Sequence, residues 1–136
     1  MYISGAYRDP VPLDSNINSP MYEFNAYINP EETLIIFSSY GRSDDLGGGD
    51  LYYSQKYRDG KWAPAKNLGP YVNSEKLDYC PFIDIPRNNF YFTSERMLSV
   101  DKRISDLSEL ESLANSILNG MGNIYRIDLD RTDLKQ

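Results

Sequence analysis

The chain has 136 residues, long enough for one domain with its own core. Its 20 acidic against 14 basic side chains give a net charge of −6, which argues against a nucleic-acid binder built on clustered Lys and Arg. With no histidine and a single cysteine, Ser-His and Cys-His catalysis, the usual zinc sites and an intrachain disulfide are excluded.

Twelve Tyr, five Phe and one Trp favour strands, because such rings suit a pleated, half-buried surface. No apolar run is long enough to span a membrane. The start, MYISGAYRDP, lacks the basic region and apolar core of a signal peptide. The expectation is therefore a chain that stays inside the cell, or one whose export signal lies outside this sequence.

In chain order, Tyr2 to Ser4 reads as the end of a strand, Gly5 as a turn, and Ala6–Tyr7 as an edge strand limited by Pro10 and Pro12. Asp14 to Pro20 is a polar connection. Tyr22 to Ile28 alternates like a strand, Asn29-Pro30-Glu31-Glu32 is a turn, and Thr33 to Ser39 is apolar enough for a strand covered on both faces. After a glycine-rich loop, Leu51 to Gln55 is a third strand. Arg58-Asp59-Gly60-Lys61 signals a hairpin, and Lys61 to Ala63 is expected as the fourth, outer strand.

The pattern then restarts. Gly60, Leu68, Asn73, Ser74, Ile83, Phe92 and Ser94 repeat Gly5, Leu13, Asn18, Ser19, Ile28, Phe37 and Ser39 at a spacing of 55 residues. Leu77 to Asp84, Asn89 to Ser94 and Asn123 to Leu129 answer the first three strands, and Asp130 to Gln136 is too polar for a confident fourth. A repeat of this period in short strands points to a solenoid or propeller. An insertion interrupts the second unit. Its Ser105 to Leu118 stretch predicts a helix with Leu107, Leu110, Ala114, Ile117 and Leu118 on one side, Ser105 as cap and Asn119-Gly120 as terminator. The helix is expected to cover the sheet ends or, alternatively, to face a partner. Ile36, Phe37, Phe90 and Phe92 are the expected core, and Cys80, in the apolar string DYCPFI, is expected to be buried and inert.

The order aromatic-x-Pro, Leu-Gly, Asn-Ser, an acidic residue, an apolar strand, a Pro-bearing turn, Phe-Ser-Ser or Phe-Thr-Ser, Arg, a Gly-rich loop and Asp-Leu-Tyr resembles the TolB-like, WD-like β-propeller repeat of bacterial envelope and secreted proteins. GRSDDLGGGDLYYSQKYRDGKWAPAKNLG carries the likeness to Bacteroidetes-type members. The resemblance implies an all-β fold of four-stranded antiparallel propeller blades, about two plus a partial one. Residues 1–20 would end a preceding blade, 21–63 would form a full blade, and 77–129 a second with its helical insertion at 97–119. It further implies a periplasmic or secreted, non-enzymatic module binding a protein, peptide or glycan at its loop face, without cofactor. Nine strands fall short of a closed propeller, so copies are expected to associate or the chain to belong to a larger ring. The alternative is an accessory or catalytic propeller domain of a sialidase-type enzyme, suggested by Asp59-Gly60-Lys61-Trp62. The usual Pro-Asp-Gly of the first hairpin is missing from both units.

Candidate binding residues on the loop face are Tyr40, Arg42, Asp44, Asp45 and Arg96. Arg42 and Arg96 are read first as partners of carboxylates such as Asp50, and second as anion binders. Gly47, Gly48, Gly49 and Asp50, echoed by Gly120, Gly122 and Asn123, are read first as a structural motif. Asp44, Asp45 and Asp50 offer oxygens to Ca²⁺ without EF-hand spacing, and no metal is assigned. Tyr40, Tyr52, Tyr53 and Tyr71 are read as packing rings before sugar platforms.

Overall fold

A computed structural model describes residues 9–98 and 103–134, with the backbone of 2–3 and 6–7. The expected strand end at Ser4 and turn at Gly5 lie outside the described residues. Strands β1 (Tyr2–Ile3) and β2 (Ala6–Tyr7) pair with each other. A four-stranded antiparallel sheet, sheet 1, follows in the order β3 (Tyr22–Ile28), β4 (Leu34–Tyr40), β5 (Asp50–Gln55) and β6 (Lys66–Asn67). Sheet 2 holds β7 (Asp78–Asp84), β8 (Asn89–Ser94) and β9 (Asn123–Asp128). The protein is thus mostly β, and among the described residues the sheets close into neither a barrel nor a ring.

The repeat is structural as well as sequential. The β3–β4 ladder slips between Phe24 and Tyr27, and the β7–β8 ladder slips between Tyr79 and Phe82. At the two bulges Asn25 and Cys80 both have positive φ, 49° and 51°. Such bulges re-aim side chains and twist an edge strand away from foreign pairing. The bulge also corrects the reading of Cys80, which is exposed and accepts a 3.3 Å hydrogen bond from Asn25 Nδ2.

The outer strand departs from expectation too. Lys61–Ala63 contributes one bridge, Lys56 to Trp62, beside the Asp59-Gly60 hairpin, and the strand proper is β6. Pro64 lies between the two pieces and has no N–H to give a ladder. The helix is shorter than predicted: α1 runs from Leu107 to Ala114, capped by Asp106, whose side chain accepts from the Glu109 N–H. Ser105 instead donates N–H and hydroxyl to Glu109, so it sits one residue outside the cap. Asn115 ends the helix, before Asn119-Gly120. No residue of α1 is buried, so it does not cover the sheet ends.

The core has two parts. Between the sheets lie Leu34, Ile36, Leu51 and Tyr53 of sheet 1 against Ile83, Phe90 and Phe92 of sheet 2. On the opposite face of sheet 1, Ile35, Phe37 and Tyr52 are covered by Ile17 and Trp62. The expected core residues are all buried, but alternation along β4 sends Ile36 and Phe37 to different clusters. After β9 the chain turns through Leu129–Arg131 and inserts Leu134, fully buried, between the sheets.

Both first hairpins place a non-glycine residue in the left-handed region, Glu32 at φ 54° and Asn88 at φ 54°. Asn adopts this conformation at lower cost than Glu. Replacing Glu32 by Gly is expected to raise stability by about 0.5–1 kcal/mol after glycine's own entropy loss is subtracted. Chemical denaturation reads this gain. An unchanged or lower midpoint would refute the strain at Glu32.

Candidate functional site

The loop face is the end of the sheets where β4 passes to β5 and β8 passes to β9. Its most ordered feature is an arginine staple that occurs twice. Arg42 donates from Nε to Ser39 Oγ (2.8 Å), and from Nη2 to Ile17 O (2.6 Å) and Glu23 Oε1 (2.9 Å). Arg96 donates from Nε to Ser94 Oγ (2.8 Å), and from Nη2 to Val72 O (2.6 Å) and Asp78 Oδ1 (3.1 Å). Each guanidinium also lies over two rings, Phe37 and Tyr52 for Arg42, and Phe92 and Tyr125 for Arg96. One planar, five-donor group thus ties the incoming connection, the first strand and the second strand together, which a lysine could not do. The carboxylate partners are Glu23 and Asp78, which corrects the expected pairing with Asp50. Both arginines are occupied within the fold, and this leaves the structural reading ahead of anion binding.

Asp50 is fully buried beside the Arg42 staple's loop. Its Oδ2 accepts from the Leu46 N–H (2.9 Å) and from Asn67 Nδ2 (2.6 Å). Its Oδ1 is buried with no hydrogen-bond partner. Burial raises the Asp50 pKa above the usual carboxylate value, opposed by the Asn67 and Leu46 bonds and helped by the charges of Asp45 and Asp78. A raised pKa favours the neutral form in the folded state. The burden of the charged form is therefore absent below the ordinary carboxylate range and grows as pH rises through the folded pKa. Asn123 occupies the matching place in β9, where its Nδ2 donates to Ile117 O and Met121 O. Asp50→Asn removes the buried charge, while its Nδ2 takes the unpartnered place of Oδ1, so its stability relative to wild type should rise from acid to neutral pH. Denaturant titrations of both proteins at the two pH values check this, and a pH-independent difference would refute it.

The other candidates are brought together around Tyr52. Its hydroxyl, buried, lies 2.9 Å from Asp44 Oδ1 and 2.8 Å from Asp45 Oδ1. Burial first, and then these two carboxylates, push the phenol far above its ordinary pKa, although Asn67 opposes the shift. Asp45 Oδ2 also accepts from the Gly41 N–H. The carboxylates thus close the loop on itself. Among the described residues, no three His, Cys, Asp or Glu groups are arranged to hold a metal ion. The glycines serve approach. A Cβ on Gly47 would fall 2.2 Å from Glu75 O, and one on Gly122 2.5 Å from the Tyr79 hydroxyl. Gly49, at φ 120°, passes its carbonyl to the Asp78 N–H. Gly120 is left-handed at φ 80°, with open contact to Met97.

Tyr53 packs in the inter-sheet core, whereas Tyr40 and Tyr71 are exposed. Sequence reading missed the Ser39 and Ser94 hydroxyls as staple members. The signal was present in the shared spacing of Ser39, Glu23 and Ile17 with Ser94, Asp78 and Val72. Around the insertion, Leu107 and Ile117 of the expected apolar stripe, together with Met121, are each about seven-tenths exposed. Compared with known proteins, the chain matches no family model, no curated protein and no solved structure.

Proposed function

We propose that the two sheets are adjacent blades of a TolB-like β-propeller and that the chain serves as a non-enzymatic binding module, taking a protein, peptide or glycan at its loop face. The observation that carries this reading is the duplicated staple. Two sheets with the same bulge, the same Ser-Arg-carboxylate-carbonyl set and the same ring pair, packed face on face, support the reading of successive blades of one ring. A rigid blade end presenting variable loops suits recognition, because binding residues concentrate on loops held by a fixed scaffold. Here the variable parts are the β4–β5 loop, with exposed Tyr40 and Asp44, and the insertion bearing α1. A periplasmic or secreted setting follows from the same resemblance. Among the described residues, no observation favours the sialidase-type alternative, since Arg42 and Arg96 are each held within a staple.

Glycan and peptide arrays probed with the purified chain test the proposal. Binding that is lost in Tyr40→Ala or Asp44→Ala while the melting temperature holds supports the loop face. Silence on both arrays, or binding that neither variant alters, counts against it.

A further inference from the structure

Sheet 1 has four strands and sheet 2 has three, and among the described residues the stretch 10–13, which repeats the outer strand of sheet 1 in sequence, belongs to no sheet. The register shows this. The turn that donates the Ile17 and Asn18 N–H groups to Asp14 O is repeated where the Val72 and Asn73 N–H groups bond Gly69 O. Counting back from these turns, Pro10-Val11-Pro12-Leu13 stands where Ala65-Lys66-Asn67-Leu68 stands in sheet 1. In sheet 1 that stretch lines the edge of β5, pairing Tyr53 with Lys66 and Tyr52 with Asn67. Residues 10–13 instead lie outside every sheet, with Val11 84% exposed. Meanwhile the chain after β9 turns away at Leu129 to bury Leu134, and among the described residues the outer edge of β9 is left unpaired.

We infer that the open edge of β9 accepts residues 10–13 of a second copy of this chain. The inference rests on the blade reading and deepens it by naming the partner. The two prolines are the sharpest check on fit. In sheet 1, Leu68 donates its N–H to Leu51 O, and Ala65 turns its N–H away from β5 to Asn16 O. Alternation in an antiparallel ladder then points the N–H groups of positions 66 and 68 inward and those of 65 and 67 outward. Pro10 and Pro12 fall on the outward positions, where a missing N–H costs no ladder bond. Val11 and Leu13 keep their inward N–H groups for Arg126 O and Ile124 O. Leu68 is buried beside Leu51, so Leu13 would cover Ile124, which is 78% exposed.

Residues 10–13 of the same copy cannot reach this edge. Ile17, four residues from Leu13, sits on the face of sheet 1 that points away from sheet 2, so sheet 1 stands between donor and acceptor. The contact is head-to-tail, and repeated copies either close a ring or run on. The acceptor face carries Asn89, Tyr91 and Arg126 where sheet 1 has Leu34, Ile36 and Tyr53, so the association is wetter than the inter-sheet core and reversible.

Light scattering on the purified full chain over a range of concentrations tests this. Wild type should reach a multiple of 15.6 kDa as concentration rises. Val11→Pro removes an exposed N–H and should stay at 15.6 kDa with an unchanged melting temperature. Ile124→Lys should do the same from the acceptor side. An equimolar mixture should recover a dimer, because one variant keeps the acceptor and the other the donor. A wild-type monomer at all concentrations, or assembly that survives Val11→Pro, overturns the inference. A monomer that still binds on the arrays would leave the binding-module reading standing, so the two failures are distinguishable.

Discussion

Arg96→Ala is expected to destabilise the protein by about 3–5 kcal/mol, the cost of stranding one member of a buried ion pair. The side chain of Asp78 is fully buried, and its Oδ2 already accepts from the Ser74 N–H and hydroxyl. Without the guanidinium, its Oδ1 keeps a charge and loses its partner. Val72 O and the rings of Phe92 and Tyr125 lose theirs as well. Arg42→Ala should cost less, because Glu23 retains some exposure and the Ser19 hydroxyl as a donor. Arg96→Lys should not restore the loss, since one ammonium cannot hold Ser94, Val72 and Asp78 in a plane. Urea midpoints with an unchanged slope give the three values. A loss below about 1 kcal/mol for Arg96→Ala, the range of an exposed pair, would show that the staple is not structural.

The staple also marks the limit of what the sequence made legible. The spacing of 55 residues aligns Ser39 with Ser94 and Glu23 with Asp78, so the strands and their stacking could be read in advance. It does not align the arginines, because Tyr40 and Gly41 precede Arg42 where Glu95 alone precedes Arg96. A one-residue difference in a loop hid the partnership, and Asp50, closer along the chain to Arg42, looked the better mate. Cys80 was misread for a related reason. Its apolar neighbours suggested burial, but the bulge turns position 80 outward, and polar Asn25 at the matching place was the clue. Leu134 is the opposite case, an apolar residue in a polar tail, whose burial depends on a gap between two sheets that no local pattern reveals. The outer strand was displaced because Pro64 splits it, a one-residue event that hydrophobic alternation does not register.

The face-to-face packing of the sheets should be as sensitive as the staple. Phe92 is 1% exposed, stacks on Phe90 and Tyr125 with ring centres 5.6 and 5.9 Å away, and faces Ile36 and Leu51 across the gap. Phe92→Ala should therefore cost about 3–5 kcal/mol, as large-to-small changes in a packed core do. It also removes one of the two rings beneath the Arg96 guanidinium, which lies 5.3 Å from the Phe92 centre. The two losses share that contact, so they should not add. The double variant should be less destabilised than the sum by about 0.5–3 kcal/mol. Phe37→Ala, the counterpart on the far face of sheet 1, removes a ring from the Arg42 staple instead and should add to Arg96→Ala without coupling. Thermal or urea unfolding of the single and double variants reads the cycle. Simple additivity of Phe92→Ala with Arg96→Ala would mean that ring and guanidinium stabilise the fold independently, and that the staple ends at its hydrogen bonds.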